Sequence, residues 1–105
     1  MYLELEAYGE KYKLNIIIAN YVNNDNISLQ LFDRTEGPFA TITKNLKPLP
    51  KGYAFIDVNN CPWVKKLIED YNLGTYANIE EQSGYVTYPL YKLNMDIINL
   101  YCMEV

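Results

Sequence analysis

The chain has 105 residues, with nine Lys and Arg against thirteen Asp and Glu, which gives a formal charge of −4. The absence of histidine excludes an imidazole base, a Ser-His or Cys-His nucleophile and a histidine metal ligand. An acidic chain without clustered Lys and Arg also disfavours direct contact with nucleic acid. Its 50% hydrophobic and 21% charged residues are typical of a folded protein, and the length predicts a single domain over residues 1–105.

The expected compartment follows from what the sequence lacks. Residues 1–6 show no basic, apolar signal-peptide pattern, and the longest strongly apolar run, Ile16–Ala19, is far shorter than the roughly 20 residues that cross a bilayer. Two cysteines, Cys61 and Cys102, are too few for a disulfide framework. We therefore expect a cytoplasmic protein with buried free thiols and no membrane contact.

The first strand is predicted over residues 2–8, where apolar and polar side chains alternate. Gly9-Glu10 then suits a two-residue type II′ hairpin loop, which would pair Leu5 with Leu14. This register matches apolar residues across the two strands, whereas a one-residue slip would mix the two faces of the sheet.

The next turn is predicted at the asparagine-rich segment 23–26, where Asn24-Asp25 would form the tip and pair Ile18 with Leu31. A third strand over about 26–33 and a fourth over 38–46 would extend an antiparallel meander. After a loop rich in proline, residues 53–58 predict a short strand buried on both faces.

The strongest helix signal follows Asn60 and Cys61, either of which could cap a helix that has Pro62 in its first turn. Gly74 is the expected terminator. An apolar stripe at helical spacing consists of Trp63, Val64, Leu67, Ile68 and Tyr71. The fold class expected is therefore α+β: an antiparallel meander sheet of about 5–6 strands with one main helix (about 62–73) packed on one face.

The last third of the chain is less regular. Residues 75–84 are polar and predict an irregular segment, while residues 85–91 alternate but contain Pro89, which favours an edge or bulged strand. From Asn94 onward the pattern favours a short helix, with a closing strand as the alternative.

Catalytic chemistry has little support in the residues. Cys61 at a helix start could have a lowered pKa, and Asp57 with Asn60 resembles part of a calcium loop, so a small thiol- or metal-dependent enzyme centred on Cys61 is an alternative function. A structural thiol and turn-forming asparagines are the favoured interpretation. We expect no catalytic, metal or cofactor-binding residues and hence no enzyme.

Tyrosine is the unusual component, with eleven in the chain. Periodicity assigns Tyr12 and Tyr71 to the core, but several tyrosines cluster after residue 75. Packing in a sheet explains such tyrosines, whereas a protein-binding surface is the functional interpretation, because tyrosine is enriched in interface hot spots. The candidate partner-binding residues are Tyr76, Glu80, Glu81, Tyr85 and Tyr88.

Three segments in order, residues 40–46, 49–63 and 83–91, carry a resemblance. Within the second, Phe55-Ile56-Asp57-Val58-Asn59-Asn60-Cys61-Pro62 is the most specific. The chain resembles an uncharacterised family in the domain-of-unknown-function series (number forty-three thirteen), small proteins from Gram-positive bacteria and their mobile elements. The resemblance implies a cytosolic protein and supplies no catalytic residues.

The resemblance also implies a role among accessory genes of phages or mobile elements. The leading expectation is a non-enzymatic protein-binding module, specifically an anti-defence inhibitor (anti-CRISPR or anti-restriction) that binds a host nuclease. A structural, self-associating protein is a further alternative, with the predicted strand edge near Pro89 as the contact of a homodimer. Monomer and homodimer both stay open.

Overall fold

Two four-stranded antiparallel sheets and two helices make up the fold in the computed structural model, which describes residues 1–103. The first sheet has the order β1-β2-β3-β4 and the second the order β5-β6-β8-β7. The elements are β1 (Leu3–Ala7), β2 (Glu10–Asn20), β3 (Ile27–Asp33), β4 (Gly37–Thr41), β5 (Thr43–Lys44), β6 (Tyr53–Ile56), α1 (Val64–Tyr71), β7 (Gly74–Ser83), β8 (Val86–Leu93) and α2 (Met95–Leu100).

The α+β class is confirmed, but the single meander sheet of 5–6 strands is wrong. The predicted fourth strand over 38–46 is divided at Ile42, so that β4 pairs with β3 and β5 pairs with β6. Ile42 joins the two sheets, because its N–H donates to the Leu29 carbonyl and its own carbonyl accepts from the Asp57 N–H, each at 2.9 Å. Alternation along the sequence does not show at which residue a strand changes sheets.

Both predicted hairpin registers are shifted by two residues. Tyr8 and Gly9 form the first loop with φ of 53° and 75°, the pattern of a type I′ turn, so Leu5 pairs with Tyr12 instead of Leu14. Likewise Ile18 pairs with Leu29 rather than Leu31. A shift of two keeps every side chain on its predicted face, which is why alternation alone does not detect it.

The main core lies between the two sheets and the helices. Tyr12 and Tyr71 are half-buried and pack against it, as their spacing predicts. Its buried members come from both sheets and both helices: Leu3, Leu5, Leu14, Ile16, Leu29, Leu31, Ile42, Ala54, Ile56, Cys61, Val64, Leu67, Ile68, Leu73, Tyr91, Leu93, Ile98 and Tyr101.

Helix α1 is shorter at both ends than the predicted 62–73. Its N-cap is Trp63, without a side-chain cap bond, and its last residue, Tyr71, is followed by the C-cap Asn72, whose φ of 54° is left-handed. Asn60 and Cys61 therefore do not cap the helix. Gly74 begins β7 instead of ending α1, and a Cβ there would lie 2.9 Å from the Lys92 carbonyl oxygen. The glycine is thus needed for close strand packing rather than for the helix terminus.

The polar segment 75–84 lies almost entirely in β7, so the irregular segment predicted there is wrong. β8 is an interior strand between β6 and β7, which also contradicts the edge position predicted for the strand with Pro89. Two features accommodate this proline. β6 pairs with β8 only as far as Leu90, one residue short of Pro89, and β7 shifts register opposite, between Tyr76 and Glu80.

The chain after Asn94 forms helix α2, as favoured over a strand. One strand-like pairing follows it: the Ile16 N–H donates to the Tyr101 carbonyl at 2.9 Å, and the Met103 N–H donates to the Ile16 carbonyl at 3.0 Å. Over residues 1–103, neither helix has the length and apolar character needed to span a membrane.

Candidate functional site

The β7–β8 hairpin contains all five residues predicted to contact a partner. β7 is the outer strand of its sheet, and β8 is its only paired strand within residues 1–103. None of the ten β7 residues is buried. Gly84 and Tyr85 form the two-residue loop, and the positive φ of Gly84 alone (61°) matches a type II′ turn. The long exposed strand and its loop make this hairpin the strongest candidate contact surface.

Three of the predicted residues are exposed on this hairpin. Tyr85 is fully exposed at the tip, and Tyr76 is 39% exposed. The Tyr76 ring packs against Tyr91, with the two ring centroids 5.7 Å apart. Glu80 is exposed and lies just after the register shift of β7. The structure therefore brings Tyr76, Glu80 and Tyr85 together on one hairpin.

Tyr88 is buried, at 5% exposure, and its prediction as a contact residue is wrong. It belongs to a second, smaller core with Phe55 and Leu90, against which Leu46 and Leu49 pack. This core lies on the outer face of the second sheet under the proline-containing loop. A two-residue period cannot distinguish a solvent-facing position from one that a distant loop covers.

Glu81 is only half-buried, and its side chain makes an ion pair with Lys47, with Oε2 and Nζ 3.1 Å apart. Lys44 lies nearby, with its Nζ 5.8 Å from the ring centroid of Tyr88. Exposed pairs of this kind stabilise a fold by little, so Glu81 keeps most of its capacity to interact with a cationic partner.

One exposed residue of the hairpin was not predicted. Ile79 is 53% exposed and lies within the irregular stretch of β7, next to Asn78, whose φ is 58°. The sequence predicts an irregular polar segment here, and a single isoleucine in such a segment does not indicate an exposed contact residue. Only the strand assignment shows that Ile79 shares the exposed hairpin with Tyr76 and Tyr85.

The alternative site around Cys61 has a structural explanation. Asp57 is buried, and its two carboxylate oxygens accept from the backbone N–H and the side-chain amide of Asn60, at 3.1 and 2.9 Å. Burial, with a smaller contribution from the negative charge of Asp57, raises the pKa of the Cys61 thiol to about 11. An open cavity of about 600 Å³ lies beside these residues. Because of its raised pKa, the Cys61 thiol stays in the neutral, poorly reactive form near neutral pH although the cavity lies beside it.

A metal at this position would need ligands in addition to Cys61 and Asp57. Residues 1–103 contain no cluster of three or more Cys, Asp or Glu side chains arranged to hold an ion. The Asp57 carboxylate is engaged by Asn60, so Asn60 acts in the turn before α1, whereas the helix cap that the structural interpretation also assigned to the asparagines is not formed.

Comparison with known proteins identifies the family. No curated protein and no solved structure shows detectable similarity to the chain. The match to the family covers residues 14–105, from the middle of β2 onward, and so includes the hairpin and both helices. The chain therefore belongs to the family described as Domain of unknown function (DUF4313).

Proposed function

We propose that the chain is a non-enzymatic protein-binding module that contacts its partner through the β7–β8 hairpin. The observation that carries this proposal is the exposure of three large apolar or aromatic side chains, Tyr76, Ile79 and Tyr85, on one hairpin at the margin of the fold. Tyrosine provides a large contact area with a polar end and is enriched in interface hot spots. Glu80 adds a negative charge to the same surface.

The partner proposed is a nuclease of a host defence system, either a CRISPR or a restriction enzyme. Such enzymes bind nucleic acid in basic channels, to which an acidic module is attracted. A charge of −4 over 105 residues is modest, which favours a local patch over mimicry of a whole nucleic acid. The module would act in the cytoplasm and belong to a phage or other mobile element.

The test combines capture with an activity assay. Immobilised wild-type protein and its Tyr85→Ala variant are incubated with bacterial lysates that contain a defence nuclease, and any captured nuclease is assayed for DNA cleavage. We expect wild type to retain the nuclease and inhibit cleavage, and Tyr85→Ala to lose at least tenfold in inhibition, which corresponds to about 1.4 kcal/mol.

Tyr2→Ala is the matched control, because Tyr2 is 50% exposed but lies at the start of the first sheet. It should inhibit as wild type does. Failure of the wild-type protein to retain any partner at micromolar concentration would contradict the proposal. Equal losses for Tyr85→Ala and Tyr2→Ala would contradict the placement of the surface on the hairpin.

A further inference from the structure

We infer that the outer edge of β7 accepts an extended, basic segment of a partner protein as an additional strand of the second sheet. This inference rests on the proposed protein-binding function and specifies the chemistry of the partner. It depends on three features of the chain: the outward backbone groups of β7, the protection of the edges of the first sheet, and the charge along β7.

The direction of the backbone groups follows from the pairing of β7 with β8. The Asn94 N–H donates to the Leu73 carbonyl at 2.9 Å, so the backbone groups of Leu73 face β8. Because these groups alternate in direction along an antiparallel strand, the N–H and C=O of Thr75 also face β8, and those of Tyr76 face outward. At the other end, a two-residue loop is closed by a hydrogen-bonded pair, here Ser83 with Val86.

Alternation from Ser83 directs the N–H and C=O groups of Gln82 and Glu80 away from β8. Because β8 is the only strand paired with β7 within residues 1–103, these groups are available to another strand. The register shift between Tyr76 and Glu80 interrupts this row, so the added segment is short and is centred on residues 80–83.

Edges of the first sheet are protected. The Tyr71 hydroxyl bonds both the N–H and the carbonyl of Glu4 in β1, and Tyr101–Met103 pairs with β2 beyond the start of β1. On the opposite edge, β4 contains Pro38, which lacks a donor. Exposed edges attract foreign strands, and proteins usually cover or shorten them. β7, ten residues long, has no such cover within residues 1–103.

The charge along β7 selects the occupant. A two-fold pairing of two copies centred on Glu80 or Glu81 would place each carboxylate opposite its own copy, which is unfavourable. Within residues 1–103, the only cation that pairs with either residue is Lys47, bound to Glu81. A strand with Lys or Arg opposite Glu80 is therefore favoured over a second copy of this chain.

The probe is a fluorescent eight-residue peptide of alternating Lys and Val, titrated with the protein and followed by fluorescence anisotropy. Its control has the same sequence with the backbone nitrogens of the lysines N-methylated, which keeps the side-chain charge but removes the donors that a lysine opposite Glu80 directs at β7. We expect saturable binding of the first peptide and at least tenfold weaker binding of the second. Bound peptide should slow hydrogen exchange at Glu80 and Gln82.

Two variants separate local from overall charge. Glu80→Lys should weaken peptide binding by about three- to tenfold, the size expected for losing an attractive charge pair and gaining a repulsive one. Glu36→Lys changes the net charge equally at an exposed turn of the first sheet and should bind as wild type does. Circular dichroism of both variants checks that each is folded.

Several results would overturn the inference. These are equal affinity for the N-methylated peptide, equal losses for Glu80→Lys and Glu36→Lys, no binding at about 1 mM peptide, or a concentration-dependent homodimer that protects the β7 amides. The proposed function is tested separately, because a nuclease captured through Tyr85 would support it even if the peptide did not bind. Conversely, peptide binding at β7 without any captured nuclease would leave the strand-addition site standing and remove the proposed function.

Discussion

The hydroxyl oxygen of Tyr71 lies 2.7 Å from the backbone nitrogen of Glu4 and 3.4 Å from its carbonyl oxygen. It accepts a hydrogen bond from the N–H and donates one to the carbonyl, the two groups through which another strand would pair with β1. A side chain from α1 therefore occupies the place of a neighbouring strand. This relationship explains how the edge of the first sheet at β1 is closed at Glu4, although no strand within residues 1–103 pairs with β1 on that side.

Tyr71→Phe should lower the free energy of unfolding by about 1 kcal/mol, because the two hydrogen bonds are lost while the ring still packs. The Glu4 amide should also exchange its hydrogen faster. Urea unfolding and hydrogen exchange measure the two effects. Tyr85→Phe is the control, since Tyr85 is fully exposed, and it should change neither. Unaltered exchange at Glu4 in Tyr71→Phe would refute the role of the hydroxyl.

Asn15 connects distant parts of the chain. It is buried, its amide nitrogen donates to the carbonyls of Met1 and Tyr101 at 2.9 and 3.2 Å, and its oxygen accepts from Arg34 Nε at 3.0 Å. Asn15→Ala should cost about 2 kcal/mol of stability in urea unfolding, because buried polar groups lose their partners. The exposed Asn59→Ala should stay within about 0.5 kcal/mol of wild type. Similar unfolding curves for both variants would contradict this role.

Asn26 fastens the loop that covers the second core. Its oxygen accepts from the Leu49 N–H at 3.0 Å, and its amide nitrogen donates to the Lys47 carbonyl at 2.7 Å. Asn26→Ala should loosen this loop and cost about 2 kcal/mol. Trypsin cleavage after Lys51 should therefore accelerate, measured by mass spectrometry of the fragments.

The same digest contains its own control for Asn26→Ala. Cleavage after Lys65, which lies in α1, should stay slow in the variant. Equal acceleration at both sites would indicate global unfolding rather than local release of the loop, and an unchanged rate after Lys51 would show that Asn26 does not hold it.

The thiol of Cys61 should react slowly. Because burial raises its pKa from 9.0 to about 11, its thiolate fraction near pH 8 is roughly a hundredfold below that of an ordinary thiol. Alkylation by iodoacetamide, followed by peptide mass spectrometry, should show slow labelling that becomes fast in urea. Rapid labelling of the folded protein at this pH would restore the thiol-dependent enzyme as a candidate.

The raised pKa also predicts how stability depends on pH. The folded state holds the thiol proton more tightly than the unfolded state, so this contribution is fully present below pH 9 and is lost as pH rises from 9 to about 11. Wild type should therefore lose more stability than Cys61→Ala between about pH 8 and pH 10, because alanine does not titrate. If wild type and Cys61→Ala lost equal stability over this pH range in urea unfolding, the raised pKa of Cys61 would be contradicted.

Much of the candidate site could be predicted, but not its division into contact and core residues. Tyr85 follows a glycine in a turn signal, and its exposure agrees with that local pattern. Tyr88 is also a tyrosine in a similar local pattern, yet it is buried. It is covered by Leu46 and Leu49, which lie some forty residues earlier in the chain. Contacts at such separation leave no trace in local periodicity.

Local chemistry in the sequence determined the class of the fold, the face that each residue of the first hairpins presents, the position of α1 to within two residues at each end, and the helix at Met95. Strand faces depend on residues two apart and helices on residues three or four apart, and the signals of both are therefore local. Tertiary structure alone decided that Ile42 joins two sheets, that β8 is interior despite Pro89, and that β7 is left at an edge. Each of these depends on which distant segment supplies a hydrogen-bond partner, and that choice is made only when the whole core is packed.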